Sequence, residues 1–199
     1  MKVLIACCFP YYFIDTIEKN SDEPIIFDNN GVITTEYLTS NNIQIILLCG
    51  YDHILSESVM NVARCIGVHF SMLPLGRGPE PLLASWINNE PIGVTLYELS
   101  SGLDEGPIIA QCKCPMDAEK ETLSSSMELL FERASALISK HWKDISDGTY
   151  NTTPQLGNVS IHTNKQAMQI FNLALKMRDR PISAFLEEVQ KEYPGFSMK

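Results

Sequence analysis

The sequence predicts an α/β protein built on a Rossmann-like, open and mostly parallel sheet, with a small helical C-terminal tail. Three observations carry that expectation. Lys2 to Cys8 and Ile43 to Cys49 are short, nearly unbroken apolar runs. Strands buried on both faces read this way, whereas half-exposed strands alternate. Short segments of helical character lie between such runs, as crossover connections of a parallel sheet require. The length, 199 residues, suits one such domain plus an appendage.

Taken in order, Lys2 to Cys8 is the first strand. Phe9-Pro-Tyr-Tyr-Phe13 follows it, and then a helix is expected from Ile14 to Asn20. No glycine precedes Gly31, so this fold class's glycine-rich phosphate loop cannot be argued here. Pro24 to Phe27 reads as a second strand, and Asp28-Asn-Asn-Gly31 as a turn. Thr34 to Ser40 reads as a short helix capped by Thr34 or Thr35, and Ser56 as the cap of another over Glu57 to Ala63. Cys65 to Phe70 is a buried strand that effectively ends at His69, because the Pro and Gly residues of Ser71 to Gly78 force the backbone to turn. Pro79 to Asn88 reads as a helix with Glu80 in its first turn, where a carboxylate suits the helix dipole.

Ile92 to Leu99 is the next strand, Ser100 to Pro107 a loop, and Ile108 to Cys112 a strand again. Leu123, Met127, Leu130, Phe131, Ala134 and Leu137 recur at helical spacing and predict a long helix to about Lys143. Ser146 to Asn158, rich in Gly, Asn, Thr and Pro, reads as a linker. Asn164 to Met177 and Ile182 to Glu192 read as two amphipathic helices. The expected division is a catalytic-type domain over 1–147 and a linker with a helical extension over 148–199. A chain ended near Asp147 is therefore expected to keep a folded core. The extension either caps the domain or pairs with a second copy in a homodimer.

A net charge of -9 without a Lys/Arg cluster argues against gripping a phosphate backbone, so no nucleic-acid partner is expected. The six cysteines mostly sit in apolar runs, where free Cys behaves as a small hydrophobe. Cys7-Cys8 and Cys112-Lys-Cys114 lack zinc-site spacing, so no metal site is expected. Met1 to Cys8 is too short for a secretory apolar region, and no stretch approaches the roughly 18 apolar residues of a membrane span. A reduced cytoplasmic protein without a membrane partner is the simple reading.

Two loops at strand ends carry the chemistry, one offering the imidazole of His69 and the other the carboxylate of Asp104. Such a pair suits acid/base work. Each residue alone also has a structural reading, His69 as a satisfied strand-end histidine and Asp104 as a turn residue between Gly102 and Gly106.

Together His69, Ser71-Met-Leu-Pro74, Arg77-Gly78 and Leu103-Asp-Glu-Gly-Pro107 resemble the formyltransferases that use 10-formyltetrahydrofolate. The resemblance spans roughly residues 45 to 125 and implies that family's fold. It implies that His69 and Asp104 are catalytic: protonated His69 faces the developing oxyanion and Asp104 takes the proton of the attacking amine. It implies a pterin pocket from Leu48, Gly50, Tyr51, Ile54 and Leu55, with Ser100, Ser101, Gly102 and Leu103 facing it. Pro10, Tyr11, Arg77 and Gly78 are the implied substrate contacts, Arg77 standing between a substrate-anion contact and a structural ion pair.

The implied reaction moves a formyl group to the amine of a small molecule, an amino sugar on a nucleotide being the leading candidate. A formyltetrahydrofolate hydrolase or a non-enzymatic folate-binding protein are the alternatives. One residue departs from the pattern. The family's Asn, two residues before the His, is Gly67 here. Its lost donor is expected to be replaced by a backbone N–H or a water in the vacated polar space, so Gly67→Asn is expected to raise the rate.

Overall fold

The computed structural model describes residues 1–28 and 31–199; Asn29 and Asn30, the centre of the expected turn, lie outside the described residues. Strand β1 (Lys2–Cys7) leads through α1 (Tyr11–Lys19) to β2 (Glu23–Ile26), and α2 (Thr35–Asn41) leads to β3 (Ile43–Cys49). The single turn α3 (Glu57–Met60) precedes β4 (Arg64–His69), and α4 (Pro81–Asn88) precedes β5 (Gly93–Glu98). Then come β6 (Ile108–Lys113), the long α5 (Leu123–Asp147), α6 (Asn164–Met177) and α7 (Ile182–Glu192).

The strands form one sheet in the order β2-β1-β3-β4-β5-β6. β1 pairs in parallel with β2 and β3, and β3 with β4, whereas β5 runs antiparallel to both its neighbours. The continuous apolar runs follow from layers on both faces. Val3, Ile5, Ile45, Leu47, Ile66 and Val68 pack with Phe13 and Ile17 of α1 and with Leu130, Phe131 and Trp142 of α5. Leu4, Ala6, Ile46, Leu48 and Cys65 alternate with them and pack on the other face with Ile33, Leu38 and Val59.

Local signals set most boundaries. Thr34 and Ser56 cap α2 and α3 by accepting from the N–H groups of Tyr37 and Val59. α3 stops short of Ala63 because Arg64 already pairs with Ile45, so the chain must be extended there. α1 starts earlier than expected, on Pro10, whose ring presets helical φ. α4 starts later: Pro81 disfavours helical geometry in the residue before it, and Glu80 becomes the N-cap at φ 54° rather than a first-turn residue. α5 runs past Lys143 to Asp147, where Gly148 in the left-handed region ends it.

The stretch expected to be a linker is instead a strap bound to the domain. Thr153 and Ile108 exchange two backbone hydrogen bonds of 2.8 Å, Arg77 donates its N–H to Ser160 O, and His162 donates its N–H to Arg77 O. Beyond it, Ile170, Leu173, Ile182, Phe185 and Val189 of α6 and α7 bury Leu83 and Ala84 of α4 and Leu123 of α5. The extension thus caps its own chain's domain. A fully buried leucine contributes about 1.5–3 kcal/mol. Ending the chain after Asp147 is therefore expected to cost at least about 3 kcal/mol, through Leu83 and Leu123 together, in a urea unfolding titration. An unchanged midpoint would show that the extension is energetically separate.

Candidate active site

β4 delivers His69 to the end of the sheet. By alternation Gly67 and His69 share the face opposite Ile66 and Val68. The imidazole Nε2 lies 2.8 Å from the carbonyl oxygen of Gly76. A carbonyl only accepts, so Nε2 carries a proton. Nδ1 is then the nitrogen turned towards Asp104, 3.8 Å from Oδ2. The two side chains are only 9% and 14% exposed, so solvent screens them little.

Asp104 does not sit at a simple strand end. Because β5 is antiparallel, Glu98 lies opposite Ile66, and loop 99–107 must return along the sheet to reach His69. Asp104 makes that return at φ 51°, a left-handed conformation that Asp tolerates better than most residues. Its carboxylate accepts the Gly78 N–H on Oδ2 at 2.9 Å and the Tyr97 hydroxyl on Oδ1 at 2.7 Å. Gln155 on the strap donates its amide to the backbone oxygens of Asp104 and Gly106, both at 2.8 Å. Gly78 is bound to be glycine: its φ is 112°, and a Cβ there would lie 2.4 Å from the His162 carbonyl oxygen.

The space over Gly67 is not open to water. Tyr97 sits directly across the strand pair from Gly67. A Cβ at residue 67 would lie 2.3 Å from Tyr97 Cε1 and 2.5 Å from Cζ. The water expected there has no room, and the expectation that Gly67→Asn helps is reversed. That substitution is expected to cost about 1–3 kcal/mol by overpacking and to lower any activity, read by thermal unfolding and turnover; a faster, equally stable variant would contradict the packing. Burial, then the charge of Asp104, pushes the Tyr97 phenol well above its ordinary range, so it stays protonated and donates.

The remaining predicted residues divide. Arg77 makes an ion pair: Nη1 lies 2.9 Å from Glu105 Oε1, while Nε and Nη2 both donate to Gln155 Oε1. Gly78 holds Asp104, and Pro10 is the N-cap of α1. Leu48 and Leu55 are 7% exposed and belong to the core. The Tyr51 hydroxyl donates to Gly31 O and accepts from the Ile33 N–H. Gly50 has φ 69°, which makes any larger residue strained there. Ile54 and Leu103 are exposed apolar side chains, at 86% and 48%, Ser100 and Ser101 are exposed too, and Gly102 lies against the Glu105 carboxylate.

Sequence reading missed Tyr97, Gln155, Ser160 and His162. Ser160 accepts the Gly76 N–H at 2.7 Å and donates to Glu90. His162 is buried, with Nε2 bonded to the Pro79 carbonyl oxygen. Burial, the first of its causes, lowers the His162 pKa. The unfolded chain then binds more protons than the folded one as pH falls through about 6.5, so stability rises with pH across that range. The unfolding midpoint is expected to drop more between about pH 7.5 and 5.5 in the parent than in His162→Gln. Equal drops would show that His162 is not responsible.

A cavity of about 610 Å³ opens on the α5 side, lined by Phe9, Tyr11, Tyr12, Phe131, Phe171 and Arg178 among others. Of the expected substrate contacts only Tyr11 lines it. Neither His69 nor Asp104 does; Glu80, two residues after Gly78, lines its wall and links it to the Asp104 loop. Burial, then the charge of Asp52, raises the Glu80 carboxyl pKa. Among the described residues no cluster of His, Cys, Asp or Glu could hold a metal ion, and no helix is long and apolar enough to cross a membrane.

Comparison with known proteins bears on this arrangement. A family model described as formyl transferase matches residues 28–140, a span that contains both His69 and Asp104. The methionyl-tRNA formyltransferase of Agathobacter rectalis is 36% identical over 132 residues, covering 65% of this chain and 42% of that protein. The dTDP-4-amino-4,6-dideoxyglucose formyltransferase of Mycobacterium tuberculosis is 30% identical over 121 residues, covering 61% of this chain and 51% of that one. The chain thus spans about half the length of these curated relatives. Among solved structures, the formyltransferase PseJ of Anoxybacillus kamchatkensis superposes with a TM-score of 0.81 at 27% identity, covering 94% of this chain and 97% of that chain. That protein was crystallised with UDP-4,6-dideoxy-4-formamido-L-AltNAc and tetrahydrofolate.

Proposed function

Because the chain belongs to the formyltransferase family, we propose that it transfers a formyl group from 10-formyltetrahydrofolate to the amine of a small substrate, an amino sugar carried on a nucleotide. The observation that carries this reading is the pairing of His69 Nδ1 with Asp104 Oδ2 at the end of β4. The folate supplies an electrophilic formyl carbon. As the amine adds to it, negative charge grows on the formyl oxygen. Once Nε2–H is given to Gly76, the Nδ1–H of a protonated His69 is the imidazole donor left to face that charge. Asp104, with an acceptor site still free on Oδ2, takes the proton from the attacking nitrogen. The tetrahedral adduct then collapses: the bond from the formyl carbon to N10 breaks, N10 receives the proton that Asp104 took up, and tetrahydrofolate leaves.

The folate would lie against the exposed apolar groups of two loops, Ile54 on one and Leu103 on the other, with Leu48, Gly50, Tyr51 and Leu55 forming the scaffold behind and Ser100, Ser101 and Gly102 beside it. The aromatic cavity supports the choice of amine. Phe9, Tyr11 and Tyr12 offer faces on which a base or sugar ring can stack, and Arg178 offers a cation for a phosphate. The neighbour crystallised with a nucleotide-linked formamido sugar supports the same class.

A formyl-transfer assay with 10-formyltetrahydrofolate over a panel of nucleotide-linked amino sugars tests the reading. Turnover is expected with at least one member and is expected to fall about 100-fold or more in His69→Ala and in Asp104→Ala. If both variants keep the parent rate, the chemistry lies elsewhere. If the parent is inactive over the whole panel yet binds 5-formyltetrahydrofolate in a calorimetric titration, the protein is a folate binder.

A further inference from the structure

We propose that Tyr97 is a positioning residue for the transfer reaction: its ring fills the space over Gly67, and its hydroxyl fixes Asp104 Oδ1 so that Oδ2 is the oxygen turned to His69 and to the attacking amine. The proposal rests on the functional reading above.

A carboxylate turns easily about its last torsion, where the energy wells are broad. To serve as a base, one of its oxygens must be held at the reacting atoms. The backbone of Asp104 is fixed by Gln155, but that does not orient the carboxylate. Two donors do so, the Gly78 N–H on Oδ2 and the Tyr97 hydroxyl on Oδ1. Oδ2, 3.8 Å from His69 Nδ1, is therefore the working oxygen.

Tyr97 is itself immobilised. It is 7% exposed, and its ring lies where a side chain at residue 67 would begin, with the hydroxyl oxygen 2.9 Å from that Cβ position. Only glycine at 67 leaves that room, so Gly67 and Tyr97 act as one unit across the β4–β5 pair. A buried tyrosine hydroxyl usually finds some partner, and a purely structural role would be met by any acceptor. The acceptor here is the carboxylate that faces His69.

Tyr97→Phe keeps the ring and removes one hydroxyl. With the active nucleotide-linked amino sugar of the panel, kcat is expected to fall about 10- to 100-fold, the scale for a misoriented catalytic group. KM for both substrates should stay within about twofold, since the interaction lost belongs to the transition state. The same protein with 3-fluorotyrosine at residue 97 keeps the ring and the hydroxyl and makes that hydroxyl a stronger donor to Asp104 Oδ1, so it remains testable where Tyr97→Phe fails to fold. Its kcat is expected to fall at constant KM, because a carboxylate bound by a stronger donor is a weaker base. An active parent whose kcat is unchanged in either form, or whose loss appears only in KM, overturns the role of Tyr97 and leaves the formyltransferase reading standing. A parent that transfers no formyl group to any amine overturns both.

Discussion

The carboxylate of Asp104 is the point on which the site depends. A partly buried negative charge must be compensated by hydrogen bonds or opposite charge, because desolvation costs more than an isolated contact returns. Here the compensation comes from two separate parts of the chain, and a third holds the backbone of the loop. Gly78 in the loop after β4 gives a backbone N–H, Tyr97 on β5 gives a hydroxyl, and Gln155 on the strap grips the backbone that presents the side chain. Those same parts set the position of His69, whose Nε2 is bonded to Gly76, while the Gly76 N–H is bonded to Ser160 on the strap.

The reversal of β5 explains why this convergence is possible. In a fully parallel sheet the strand after β4 would release its loop at the same end as His69. With β5 antiparallel, the chain leaves at the Ile66 level and returns over the sheet surface, carrying Asp104 past Tyr97. The aromatic cavity lies towards α5, and the short run from Arg77 to Glu80 joins it to the Asp104 loop. The aromatic cavity and the His69–Asp104 pair are therefore joined by one short segment, itself tied down by backbone bonds between Arg77 and the strap.

The elements were largely legible before the structure. Buried parallel strands show as apolar runs, and α6 and α7 show their helical period clearly enough that their bounds, Asn164–Met177 and Ile182–Glu192, match expectation. His69 and Asp104 were legible as a pair because a strand end and a Gly-flanked turn are local features. The strap was not. Its bonds to Ile108, Arg77 and Gly76 are mostly made by backbone atoms, which leave no pattern in side-chain type, and its Gly, Asn and Pro content reads as a linker.

By itself the sequence determined the fold class and the two-sided burial of the sheet, since both rest on hydrophobic periodicity, and it offered His69 and Asp104 as candidates chiefly through their resemblance to a known family. It also showed that residue 67 has no side chain. Only the tertiary structure decided what fills that place. The pairing register sets Tyr97 opposite Gly67, and register between strands depends on how whole layers pack rather than on any local pattern. The same holds for the partners of Arg77, since only folding brings Glu105 and Gln155 to its guanidinium. Contacts between segments far apart in the chain are chosen by the geometry of the packed sheet, and that geometry does not exist until the chain has folded.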